Sequence, residues 1–158
     1  MAVRHVLIGR PPESVWNILA DERCYARWVP GTSRTEPGDG HWPDVGSSLR
    51  YTVRLGPWQL QGRTVVRRCA PNARLELEAH AGRLGTARIG IELLPWGSGT
   101  LVIVDEHPLQ GLGGSLHAAP SEALLHLRHR SMLSRLARTV EARDGATTEA
   151  GRAGWAAA

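Results

Sequence analysis

The most constraining feature of this chain is a change of hydrophobic period. From Gly46 to His107 the residues alternate apolar and polar in short runs broken by turns. After a glycine-rich connection (Gly111, Gly113, Gly114) comes a stretch, 120–143, that has no Gly or Pro after its first residue, Pro120. A period of two means strands, and an unbroken stretch with apolar residues three and four apart means a helix. Leu49, Tyr51, Val53 and Leu55 alternate with Ser48, Arg50, Thr52 and Arg54. Gly56-Pro57 turns the chain, and Trp58, Leu60, Gly62, Thr64 and Val66 carry the next inward parity. Pro71-Asn72 is another turn, followed by Leu75, Leu77 and Ala79, then by Ala87, Ile89, Ile91 and Leu93 within a strand over 84–94. Residues 95–99 form a hairpin turn, and 100–107 the last strand. Strands joined by such short turns pair antiparallel. A sheet with one apolar face must have that face covered. In the 120–143 stretch, Leu125, His129, Met132, Leu136 and Val140 share a face, while Arg128, Arg135 and Arg138 lie on another. At 1.5 Å per residue the helix is roughly 35 Å long, enough to cross the sheet.

The N-terminal part adds one strand and two short helices. Residues 2–9 read as a strand ending at Gly9. Pro11 and Pro12 open a helix with Val15, Trp16, Ile18 and Leu19 as its apolar stripe. Asp21 caps a second helix carrying Tyr25 and Trp28, which Pro30-Gly31 stop. Residues 37–46 are dense in Gly, Pro and Asp and read as a loop. The expected fold is α+β: a curved antiparallel sheet of six to seven strands around one long C-terminal helix, with two short helices after the first strand. Residues 1–143 form a single domain in this reading, and the Gly- and Ala-rich 144–158 a poorly ordered tail.

Composition narrows the function classes. All 19 basic residues of the 158 are Arg, which codon bias in a GC-rich genome explains without phosphate chemistry. The net charge of +4 permits weak attraction to acidic partners and names none. Cys24 and Cys69 have no metal-type spacing. His126 and His129 are three apart but lack a third ligand. Neither a metal nor a cofactor is expected. No P-loop, dinucleotide fingerprint or G-x-S-x-G stretch is present, and no nucleic-acid motif. The first ten residues lack the apolar run of a signal peptide, and no stretch approaches the roughly 20 apolar residues of a membrane span. The expectation is a soluble cytoplasmic protein.

The order of elements, with Pro12-Glu13-Ser14-Val15-Trp16, Leu19-Ala20-Asp21, Tyr25 and Trp28, resembles the polyketide cyclase/dehydrase and lipid-transport family of the START/Bet v 1-like (SRPBCC) superfamily. Val45-Gly46, Gly99-Thr100 and Leu133-Ser134-Arg135-Leu136 carry the same resemblance, which covers residues 1 to about 143. It implies the helix-grip fold, with an apolar cavity between sheet and helix. The implied partner is a hydrophobic or polycyclic small molecule, with a homodimer as a further option. Its residues would come from Trp28, Tyr51, Trp58, His117, Leu125 and Met132, although inward aromatics equally serve plain core packing. Four ionisable residues are candidate catalysts. Arg68 continues the inward parity of Trp58 through Val66, and the resemblance implies that an Arg near the end of such a strand holds polyketide oxygens. Glu106 and His107 close the last strand; alternation sends Glu106 to one face and Asp105 and His107 to the other, without telling which is inner. His129 lies on the apolar stripe of the helix. Two functions fit: a cyclase, aromatase or dehydrase acting on a polyketide, and a carrier of lipids or other hydrophobic ligands that converts nothing.

Overall fold

The computed structural model describes residues 2–82, 85–110 and 130–146. Its elements are β1 (Ala2–Ile8), α1 (Pro12–Leu19), a 3-10 turn (Glu22–Cys24), α2 (Tyr25–Trp28), β2 (Thr32–Pro37), β3 (Ser48–Leu55), β4 (Trp58–Ala70), β5 (Arg74–His80), β6 (Thr86–Trp96), β7 (Gly99–Gln110) and a helix α3 over 130–146. The strands form one curved antiparallel sheet in the order β1-β7-β6-β5-β4-β3-β2. β2 through β7 are a meander; β1 pairs with β7, so the α1–α2 segment links the two edge strands. This is the helix-grip architecture expected from the change of period.

The local chemistry of α1 and α2 follows the sequence. Pro11 is extended and Pro12 opens α1, where a missing N–H leaves nothing unpaired. Val15, Trp16, Ile18 and Leu19 are all buried. Asp21 accepts the Arg23 N–H at 3.0 Å and so caps the 3-10 turn before α2. The two-residue loop Gly56-Pro57 joins β3 to β4, with Gly56 at φ +59°, which glycine adopts without strain.

Two features depart from the sequence reading. β2, with the sequence TSRTEP, has no apolar alternation to announce it. It is an edge strand held by its ladder to β3, and an edge tolerates Pro37. The second departure is a β-bulge in β4. Val66 pairs with Leu77 and Arg68 with Glu76, leaving Arg67 as the extra residue. An extra residue reverses the parity of everything beyond it. Arg68 therefore sits across from Glu76 on the outer face and is exposed, not inward as alternation from Trp58 implied. Cys69 takes the inner position opposite Leu75.

Arg67 points outward, as alternation already implied, and meets Glu78. Its Nε and Nη2 donate to the two carboxylate oxygens at 2.9 and 3.0 Å. His80 lies 3.0 Å from the same carboxylate and Arg88 3.9 Å. The hydrogen bonds from Arg67 hold the Glu78 carboxyl below its ordinary value, against the opposing push of burial.

From β3 to β7 the inner face is mostly apolar. Leu49, Val66, Leu75, Leu77, Ile91, Leu93, Val102 and Val104 are almost fully buried. Met132, Leu133, Leu136 and Val140 of α3 join the same core. α3 runs to residue 146, past the 143 boundary expected for the domain, and Asp144 pairs with Arg10 at 3.2 Å.

Two stability measurements check this account. Leu136→Ala removes a side chain from the middle of the grip and is expected to lower unfolding free energy in urea by about 2–5 kcal/mol, whereas Glu141→Ala on the exposed face should change it by less than about 0.5 kcal/mol. Because the Glu78 pKa is lowered by folding, its contribution is present above the unfolded carboxyl value of about 4.3 and is lost as pH falls through the folded value. Glu78→Gln should therefore be less stable than the parent at pH 7, with the difference vanishing in acid; a difference that grows on acidification would contradict the assignment.

Candidate functional site

The inner face of the sheet beneath α3 is where the sequence placed a binding site. Along β7, Val102, Val104 and Glu106 share the inner parity. Glu106 pairs with Ile89 on β6, which continues to Leu77 on β5 and Val66 on β4. Glu106 thus ends a row of otherwise apolar inward residues, and it is only 5% exposed. Asp105 and His107 take the outer face, with His107 Nε2 3.9 Å from Asp105 and its side chain 43% exposed. The open question of which strand-end residue faces inward is answered by register: Glu106 does, His107 does not.

A second cluster lies where α2 packs on β3 and β4. The Tyr25 ring stands edge-on to Trp28 with centroids 5.2 Å apart and 6.0 Å from Tyr51. Tyr25 Oη and Thr64 Oγ1 are hydrogen-bonded at 2.9 Å, so the buried hydroxyl and the buried Thr64 satisfy each other. Tyr51 lies over Gly62, its cross-strand partner; a Cβ at position 62 would overlap the ring. Glycine here makes room for an inward aromatic. Trp42, from the loop between β2 and β3, closes the cluster from the far side, 6.2 Å from Tyr25, and its Nε1 donates to the Leu19 carbonyl at 3.1 Å.

The structure therefore brings Trp28, Tyr51 and Met132 into one buried interior, on whose sheet wall Glu106 also lies. Arg68 and His107 are on the opposite face. Trp58 opens β4 opposite Leu55 in the hairpin register. His117, Leu125 and His129 lie outside the described residues. The sequence reading missed the Tyr25–Thr64 pair and Trp42. Thr64 did carry inward parity, but no spacing rule links it to Tyr25, and a loop Trp gives no periodic signal.

Thr64 and Glu106, polar residues described on this face, can take part in hydrogen bonding and, for Glu106, proton transfer. The thiols of Cys24 and Cys69 are free, and burial pushes both upward, which disfavours the thiolate needed of a nucleophile. Among the described residues no group of three His, Cys, Asp or Glu side chains could hold a metal ion. None of their helices is long and apolar enough to cross a membrane.

Comparison with known proteins agrees with this architecture. A START superfamily protein from Mycobacterium smegmatis superposes with a TM-score of 0.75 at 18% identity, over 89% of this chain and 96% of the other. The Zhui aromatase/cyclase from Streptomyces sp. R1128 superposes with a TM-score of 0.67 at 16% identity, over 90% and 93% of the two chains. DynU16, a protein of the dynemicin biosynthetic locus, matches with a TM-score of 0.65 at 23% identity, over 89% of this chain and 46% of its own. No curated protein sequence matches. At these identities the structures establish the fold. The family model described as polyketide cyclase/dehydrase and lipid transport matches residues 2–141, and the chain belongs to that family.

Proposed function

We propose that the protein binds a hydrophobic, oxygen-bearing small molecule between sheet and α3, and acts on it as a polyketide cyclase or dehydrase with Glu106 as the proton carrier. The observation that carries this reading is the Glu106 carboxylate, buried on the inner face at the end of an apolar row. Apolar walls exclude water and hold a flexible chain in one folded shape, which converts a slow encounter into an intramolecular reaction. A carboxylate at that wall can remove a proton α to a carbonyl. The enolate carbon attacks a second carbonyl of the same chain, and the carboxyl returns its proton to the new alkoxide. Loss of that hydroxyl with a neighbouring proton as water completes a dehydration. The aromatase/cyclase among the structural neighbours supports the substrate class by analogy of fold. His129 enters this reading as a second proton carrier, and Trp58, His117 and Leu125 as ligand contacts, by their sequence positions alone.

One observation favours a carrier instead. Of the three candidate catalytic residues that the structure describes, Glu106 alone faces inward. Binding needs only the apolar wall, whereas chemistry needs more than one polar group acting together.

Native mass spectrometry on protein freshly isolated from its producing cells separates the two. Parent protein carrying one small molecule, and Glu106→Gln carrying a precursor heavier by one water or isomeric with it, is the expected result. The same molecule on both would mark a carrier, and no bound small molecule on either would overturn the binding reading itself.

A further inference from the structure

A groove of about 830 Å³ runs between the Asp21–Arg27 segment and α3, away from the inner face of the sheet. Among the described residues, Arg23, Arg27, Arg135, Arg138 and Arg143 line it, against one carboxylate, Asp21. That local excess equals the formal net charge of the whole chain, so all the remaining charges cancel. Arg143 is tied down: its Nη1 lies 3.4 Å from Asp21 and donates to the Asn17 carbonyl at 3.3 Å. Arg23 reaches the same carboxylate at 3.9 Å. Asp21 is thereby taken up, and Arg27, Arg135 and Arg138 have no acidic partner among the described residues. Like-charged guanidiniums lining one groove repel one another. A complementary anionic surface relieves that repulsion.

The shape narrows the occupant. On α3, Arg135, Thr139 and Arg143 follow one line of the helix (i, i+4, i+8), and Arg138, Ala142 and Ala146 the next. Arg23 and Arg27 face them from the other wall. Between the two basic rims the lining is small: Cys24, Thr139, Ala142 and Ala146. Small residues let a second helix approach to the usual 8–10 Å between axes, while long Arg side chains reach its flanks. Among the described residues, the groove lining has no aromatic residue to stack nucleic-acid bases and no large apolar side chain to enter a membrane. A second copy would bring like charge to like charge. We infer that this groove docks an acidic helical segment of a partner protein, with its Asp and Glu side chains paired to the two Arg rims. This inference is independent of what the inner face binds.

The test is fluorescence anisotropy with the full chain. The probe is a labelled alanine-rich helical peptide carrying Glu at i, i+4, i+8 and i+11 along one face. Its controls are a scrambled peptide of the same composition, a short DNA duplex, and phosphatidylglycerol vesicles. The patterned peptide is expected to bind more tightly than all three and to weaken with added salt. Arg27→Glu combined with Arg138→Glu should weaken it at least about tenfold, while Arg54→Glu on β3 leaves it unchanged. If the double reversal unfolds the protein, as judged by circular dichroism, Arg27→Gln and Arg138→Gln should each weaken binding in the same order of probes. Equal binding of the scrambled peptide, tighter binding of duplex or vesicles, or indifference to the Arg27 and Arg138 substitutions would overturn the proposal.

Discussion

The structure depends on the covering of one apolar sheet face by one apolar helix stripe. Strands β3 through β7 each turn alternate side chains inward, and the apolar majority of these could not stay in water without a large loss of hydrophobic stabilisation. Met132, Leu133, Leu136 and Val140 provide the cover within the described part of α3. Once this packing is imposed, parity becomes a sorting rule for the whole sheet. Most inner positions are buried, and most outer positions are left to salt and water, with Val65 and Ser48 as buried exceptions on the outer face. Whatever chemistry the protein does on its inner face is then limited to residues that parity sends there.

That rule explains what was legible in the sequence and what was not. Alternation over Leu49–Leu55, Leu75–Ala79 and Ala87–Leu93 gave both strands and inner faces, because nothing interrupts the period in those segments. It failed for Arg68, because the bulge at Arg67 inserts one residue and the composition of Val65-Val66-Arg67-Arg68 does not signal it. It could not choose a face for Glu106, because Asp105-Glu106-His107 is ionisable at every position. The pairing of Glu106 with Ile89 decides it, and pairing is a long-range property. β2 was silent for the opposite reason. An edge strand with polar side chains is specified by its ladder and not by its own pattern. Trp42 belongs to neither period: a loop residue becomes core through Leu19 and Tyr25, which are distant in sequence.

The two carboxylates Glu78 and Glu106 show what the sorting rule does to chemistry. Glu78, on the outer face, is surrounded by Arg67, His80 and Arg88, and its charge is held by that company. Such a group is stabilised in one protonation state and is a poor proton carrier. Glu106 stands where Val102 and Val104 set the pattern, with Ile89 beside it. A Val or Ile at this register would continue the row and bury more apolar surface. A carboxylate there is expensive to desolvate. Its presence at an inner position toward the end of β7 is what a site on this face would need. Register thus sets the surroundings of both: Glu78 is held among charged neighbours on the outer face, and Glu106 is buried at the end of an apolar row on the inner one.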